Sequence, residues 1–360
     1  MSLIRYVTRI HFAERAVEDA LPEELRAHRV LAPLIVTDAD TGEALPRVLD
    51  CLPPACRPRL MALAGVEVLS LGADELASIE AGAPPEYDAV ISLGGARAQE
   101  VSRLVAQGTA APGVANAGKD RATTRISVPT LPDCLGLAQS SRMPGDSSLP
   151  EWQGPAAVIC DPTLMLLAPR ARLAVAGFDS LVHCLEALLS IAWNPPADGM
   201  AFDGLRRAGD WLERFVADPA DPVPRREVLA TALNGALASQ KGLGAIHGLS
   251  NALESLTGER VHGTLHAALV APVLRFNAPA VPDRMAMVAE ALRQPPGADL
   301  GALLQEMGGR MGLVRRLGHL GLTPSGIDRA ADLAAEERAT GTNPRHVTVT
   351  DYRQLIESAL

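Results

Sequence analysis

Residues 161–190 read DPTLMLLAPRARLAVAGFDSLVHCLEALLS, and the chain changes character there. Upstream, VLAPLIVTDAD (30–40), GVEVLSLG (65–72), YDAVISLGG (87–95) and TRISVPT (124–130) read as short buried strands. Between them, TGEALPRVLDCLPP (41–54) and ARAQEVSRLVAQG (96–108) have helical spacing. Strand–helix alternation predicts a parallel, doubly wound α/β sheet, with ligands beyond the carboxyl ends of its strands. From residue 161 onward strand-like runs nearly vanish. ADGMAFDGLRRAGDWLERFV (197–216), RREVLATALNGALASQKGLGAIHGLSNALESL (225–256) and HGTLHAALVAPVLRFN (262–277) continue a series of long helices. The expectation is an α/β domain over 1–160 and an all-α domain over 161–360. Residues 139–155, rich in Ser, Pro and Gly, read as a loop or irregular hairpin.

The 360 residues allow one large domain or two ordinary ones, and 48% hydrophobic residues promise a sizeable core. A net charge of −9 argues against nucleic acid, because phosphate binding wants a basic surface. Five scattered cysteines, Cys51, Cys56, Cys134, Cys160 and Cys184, make no disulfide framework and fit reduced thiols in a cytoplasm. The first residues, MSLIRYVTRIHFAERAVED, have no apolar core for a signal peptide. No run reaches membrane-spanning length, so no membrane partner is expected.

Within the opening stretch, Asp179 and His183 stand four residues apart, so they share one helix face. Three further histidines, His247, His262 and His266, lie in apolar helical surroundings. One carboxylate with up to four imidazoles suits a divalent cation such as Fe²⁺ or Zn²⁺. An internal Asp–His hydrogen bond and buried structural histidines account for the same pattern, and spacing alone leaves both readings open.

The blocks around these residues resemble a known family. DPTLMLLAPRARLAVAGFDSLVHCLEALLS with NPPADGMAFDGLRR (194–207) is similar to the D-P-x-L-T…A-x-G-x-D-A-x-x-H-x-x-E-A block and N-P-x-x-D-x-x-A run of the iron-containing (group III) alcohol dehydrogenases. GAIHGLSNALESLTGERVHGTLHAALVAPVLRFN (244–277) resembles their histidine helix, loop and L-P-x-V-x-x-F-N segment. The tail, with TNPRHVTVT (342–350), resembles the maleylacetate reductase branch. The resemblance implies a dehydroquinate synthase-like architecture, in which a Rossmann-like domain precedes a helical one. It also implies a homodimer. Metal ligands fall on Asp179, His183, His247 and His262, the last after one extra residue in the preceding loop. His266 matches a second histidine of the reductase branch and is a candidate active-site group.

The departures are specific. The family's second histidine on the metal helix is here Asn251, which hydrogen-bonds but does not act as an acid or base near neutral pH. The glycine-rich G-G-G-S-x-x-D is GGARAQE, keeping Gly94 and Gly95 and placing Arg97 at the serine. Of P-T-T-x-x-G-[ST]-E only Pro129 and Thr130 survive. Asp38, after the first strong strand, matches an acid that bonds the adenosine ribose, favouring NAD(H) over NADP(H). The resemblance therefore implies a metal-dependent, NAD(H)-linked oxidoreductase acting on a small alcohol, aldehyde or ketone, including a keto-acid such as maleylacetate. Its cofactor residues would be Asp38, Gly94, Gly95, Arg97 and Thr130. A non-redox lyase or cyclase on the same architecture, or a binding subunit with a degraded cofactor site, are the alternatives.

Overall fold

The structure, a computed structural model, describes residues 8–38, 41–63, 87–107, 123–133, 137, 154–257 and 262–360. The strand expected at 65–72, nearly all of the loop at 139–155, and Cys134 lie outside the described residues. Two compact units separate. One takes in the described residues through Leu137 together with 154–168; the other runs from Pro169 to Leu360.

The first unit is a six-stranded, wholly parallel sheet in the order β1-β6-β5-β4-β2-β3. Its strands are β1 (Arg9–Phe12), β2 (Pro33–Asp38), β3 (Arg59–Leu63), β4 (Ala89–Gly94), β5 (Thr124–Pro129) and β6 (Ala157–Cys160). The inner strands β2, β4 and β6 are buried at every position, the mark of a parallel strand covered on both faces. The edge strands β1 and β3 are partly exposed and carry Arg9 and Arg59. Those edges, and the four-residue β6, are too short and too mixed to show a strand period in the sequence. Helices α1 (Ala16–Ala27), α2 (Ala44–Asp50) and α3 (Ala96–Gln107) complete the described part of this unit.

The chain passes from β2 out to β3 and returns to β4 on the other side of β2, so the strand order reverses between β2 and β4. Ligands of open parallel sheets bind at such a reversal. Thr37 pairs with Leu93, which sets Asp38 at the end of β2 alongside Gly94 at the end of β4. The turn at 161–168 groups with this sheet because Asp161, wholly buried, is a hub within it. Its carboxylate accepts from the amides of Arg15 and Thr163, both at 3.0 Å, and pairs with Arg47 at 2.7 Å.

The second unit is helical. It comprises α4 (Arg170–Leu189), α5 (Pro195–Ala217), α6 (Pro222–Ala238), α7 (Ala245–Thr257), α8 (His262–Asn277), α9 (Pro282–Ala291), α10 (Leu300–Arg310), α11 (Pro324–Glu336) and α12 (Val349–Ala359). Every residue of α4 from Ala176 to Leu189 is buried, so this helix is the unit's axis. α5, α6 and α8 pack around it. At Gly263 a Cβ would collide with the Val175 carbonyl oxygen, so glycine there lets the start of α8 lie directly against α4. That close approach brings His262 and His266 to the face bearing Asp179 and His183. No helix among the described residues is long and apolar enough to cross a membrane.

Candidate metal centre

Three helices supply the centre: α4 gives Asp179 and His183, α7 gives His247, and α8 gives His262 and His266. All five side chains are buried. Ring centroids stand 4.3 Å apart for His183–His247 and for His262–His266, and 4.4 Å apart for His247–His266. Asp179, His247, His262 and His266 each offer a ligand atom, and those atoms all lie within 4.8 Å of one another. His183 adjoins this set, with its Nε2 3.2 Å from His247 Nε2. Its Nδ1 faces the Asp179 carbonyl oxygen at 3.0 Å and the Asp179 carboxylate at 3.3 Å.

The rings are aimed from behind. Glu186, one turn past His183, faces His247 Nδ1 with a carboxylate oxygen at 2.7 Å. The same carboxylate accepts from the amides of Gly244 (3.0 Å), Ile246 (2.7 Å) and His247 (3.3 Å). An anion at a helix start meets unpaired amides and the positive end of the helix dipole. Glu186 therefore docks the first turn of α7 onto α4. The Asn343 Oδ1 takes the Ala245 amide at 3.1 Å and the Asn277 side chain at 3.0 Å. The tail and the end of α8 thus tie into the same first turn. Glu254 lies seven residues after His247 on α7, with a carboxylate oxygen 3.0 Å from His262 Nδ1. A carboxylate behind an imidazole fixes the tautomer and turns the other nitrogen toward a metal.

Polar atoms are left over at the centre. Asp179 Oδ1, both ring nitrogens of His266, Glu254 Oε1 and His262 Nδ1 are buried with no hydrogen-bond partner; the 3.2 Å approach of Asp179 Oδ1 to His266 Nδ1 and the 3.0 Å approach of Glu254 Oε1 to His262 Nδ1 are both misaligned for one. Each such atom costs about 1–3 kcal/mol when nothing satisfies it. A divalent cation satisfies the Asp179 carboxylate oxygen and one nitrogen of the His266 imidazole, and a nitrogen-rich set with one carboxylate suits Fe²⁺ or Zn²⁺. On chemistry and placement the residues fit the group.

The rings divide by protonation: burial opposes charge on all four, yet Asp179 raises His183, as Glu254 raises His262, while His247 and His266 are lowered. Burial, and then the charges on its neighbouring rings, hold His247 well below the usual imidazole range. Burial and the His262 charge push His266 down to about 3. Both rings are therefore neutral, the form that binds metals. Burial opposes charge on His262, but Glu254 raises it to about 9. Burial also opposes charge on Asp179, yet the His183 and His266 rings hold its carboxyl well below the ordinary range. Burial pushes Glu186 up to about 7 against the pull of its three amides.

Asn251 lies one turn along α7 from His247, and its amide donates to Glu337 at 3.3 Å. In the sheet unit, Asp38, Gly94, Gly95, Arg97 and Thr130 gather at the carboxyl ends of β2, β4 and β5. Gly94 has φ +153°, and a Cβ there would collide with the Asp38 carboxylate. Asp38 accepts the Gly95 amide at 2.7 Å, and Asp133 accepts the Ala96 amide at 2.6 Å. The Thr130 amide donates to the Gly94 carbonyl at 3.2 Å, and Arg97 is buried.

A sequence profile described as "Fe-containing alcohol dehydrogenase family, C-terminal" matches residues 173–360, more than half of the chain. The chain belongs to the iron-containing alcohol dehydrogenase family. Among its relatives in that family, 4-hydroxybutyrate dehydrogenase of Cupriavidus necator is 31% identical over 391 residues, spanning 100% of both chains. Maleylacetate reductase 1 of Rhodococcus opacus is 29% identical over 82% of this chain and 77% of its own. NAD-dependent methanol dehydrogenase of Bacillus methanolicus is 26% identical over 76% and 77%. A crystal structure of 1,3-propanediol oxidoreductase shares the fold with a TM-score of 0.87 at 20% identity, covering 100% of each chain. The maleylacetate reductase of Agrobacterium tumefaciens does so with 0.76 at 23%, covering 100% and 99%.

The relatives named above are dehydrogenases and reductases, as befits an oxidoreductase family. Three carboxylates escape a reading by spacing. Glu186 carries the weak signal of lying three residues after His183 within an apolar helix. Glu254 sits on the His247 face at i+7. Asp133 has no periodic signal, because its role is set by a turn.

Proposed function

We propose that the chain is a divalent-metal-dependent oxidoreductase that interconverts a small alcohol and its aldehyde or ketone with NAD(H) as hydride partner. The carrying observation is the buried cluster of one carboxylate and three imidazoles, with His183 adjoining and several of its polar atoms unsatisfied. The substrate class we favour is a short hydroxy- or oxo-carboxylate. The relatives named for 4-hydroxybutyrate and maleylacetate support it, since both compounds join an oxidisable or reducible carbon to a carboxylate. The protein is taken as a cytoplasmic homodimer acting on small molecules, with no nucleic-acid or membrane partner.

When bound, the cation supplies Lewis-acid polarisation of the substrate oxygen and the nicotinamide supplies hydride exchange. The chain's own residues do the rest. Asp179, His183, His247 and His262 would hold the cation. Glu186 keeps His247 presented through its Nε2 atom, and Glu254 stands behind His262 as a nearby charge. The dry surroundings of α4 strengthen every charge interaction at the centre. Asn251 orients through its bond to Glu337 and carries no transferable proton, so the alcohol proton leaves by another group. His266 is the second active-site candidate at the centre.

The dinucleotide has the strand-order reversal and Asp38 in its favour. Its phosphates meet a less open turn, because the Gly95 and Ala96 amides are already held by carboxylates. No phosphate contact is therefore assigned to those two amides. The test is a coupled assay: Fe²⁺- or Zn²⁺-loaded protein with NADH and a panel of short oxo acids, following NADH absorbance. Turnover of an oxo acid that stops on chelation supports the reading. Absence of turnover with every oxo acid, aldehyde and ketone at millimolar NADH contradicts it.

A further inference from the structure

His266 stands apart from the four residues given the metal above. It lies one turn after His262 on α8, so both rings project from the same face. It has no solvent exposure, and it packs against the rings of His247 and His262. Neither of its nitrogens has a hydrogen-bond partner, and the nearest carboxylate oxygen is misaligned. A histidine kept only for packing would turn one nitrogen to a carbonyl or carboxylate. Here Nδ1 stands 3.2 Å from Asp179 Oδ1 without the alignment of a hydrogen bond, and Nε2 has no partner.

Its ligand atom also falls within the same 4.8 Å group as those of Asp179, His247 and His262. Two donors on one cation stand at most about 4.2 Å apart, twice a metal–nitrogen bond. The four ligand atoms thus lie close to the span that one ion bridges. His183 adjoins this set, with its Nε2 3.2 Å from that of His247.

We propose that His266 is itself a metal donor, so that the cation is held by one carboxylate and four imidazoles. The inference rests on the metal reading above and goes beyond it in the number and identity of the donors. Five protein donors disfavour Zn²⁺, whose sites are almost always four-coordinate, and favour an ion such as Fe²⁺ that accepts five or six.

Co²⁺ is the probe, because its visible absorption is strong in four-coordinate sites and weak in five- or six-coordinate ones. The full-length wild type should bind one Co²⁺ per chain with weak absorption. His266→Asn, which keeps a polar group in the space, should bind at least about tenfold more weakly, in competition with a chelator, and should absorb more strongly. Equal affinity and an equal spectrum overturn the proposal. Weaker binding with an unchanged spectrum overturns it too, since His266 then acts without bonding the ion. If His266→Asn does not fold, X-ray absorption of the Co²⁺-loaded wild type decides: four imidazoles are expected, and three overturn the proposal. Failure of the wild type to bind Co²⁺, Fe²⁺ or Zn²⁺ overturns the metal reading itself, an outcome distinct from wild-type binding that His266→Asn leaves unaltered.

Discussion

The metal centre and the turn after β4 both use buried carboxylates, to opposite effect. In the centre, Glu186 and Glu254 stand behind His247 and His262 and leave the inward nitrogens available. At the turn, Asp38 and Asp133 close over the amides of Gly95 and Ala96, the groups a pyrophosphate uses at a helix start. One half of the molecule is preorganised for a ligand by its acids, and the other half is capped by them. A carboxylate placed one layer out prepares a site; the same group placed at the ligand's own position competes with the ligand. The histidine cluster thus has polar atoms free for a ligand, whereas the first amides after β4 are held by the chain's own acids.

The largest effect that can break this contrast lies in the centre. Asp179→Ala and His247→Ala should remove the cation and lower kcat/KM by about three orders of magnitude, since Lewis-acid polarisation is worth several kcal/mol. Steady-state kinetics beside metal analysis of each variant checks it, and activity that survives without metal breaks the account. Next in size, Glu186→Gln should weaken metal binding about 10- to 100-fold by loosening His247 and the start of α7, measured by chelator competition. An unchanged affinity would show that Glu186 only caps the helix.

The fold was legible where the period was long. The helices flanking residues 161–190 and the buried runs of β2, β4 and β5 show themselves in the sequence, because burial on all sides writes continuous apolar stretches. β1, β3 and β6 do not, being four or five residues long, with charged positions on the edge strands. Asp179 and His183 were visible at i, i+4. His247, His262 and His266 were visible as polar intrusions, though spacing alone did not separate a metal site from structural histidines. The acids behind the rings stayed hidden, since Glu186 acts 61 residues away on His247 and helix packing alone creates that contact. Asp133 was hidden for the same reason, its partner being an amide 37 residues earlier.

Two smaller effects sharpen the other side of the comparison. Asp133→Asn should raise NADH affinity up to about tenfold by weakening the cap on the Ala96 amide, while costing about 1 kcal/mol of stability. Fluorescence titration with a thermal melt reads both, and an unaltered affinity means the cap does not compete. Asp38→Ser should reduce the preference for NADH over NADPH about fivefold, through loss of one charge-assisted ribose contact and of its repulsion toward a 2′-phosphate. The ratio of kcat/KM values for the two cofactors reports it.

The most direct measurement is metal content. Protein purified without chelator, or reconstituted with Fe²⁺ or Zn²⁺ and desalted, is analysed for metal beside His247→Ala. The account predicts about one ion per chain in the wild type and none retained by the variant. A wild type that holds no metal after reconstitution, or a variant that holds as much as the wild type, would contradict it.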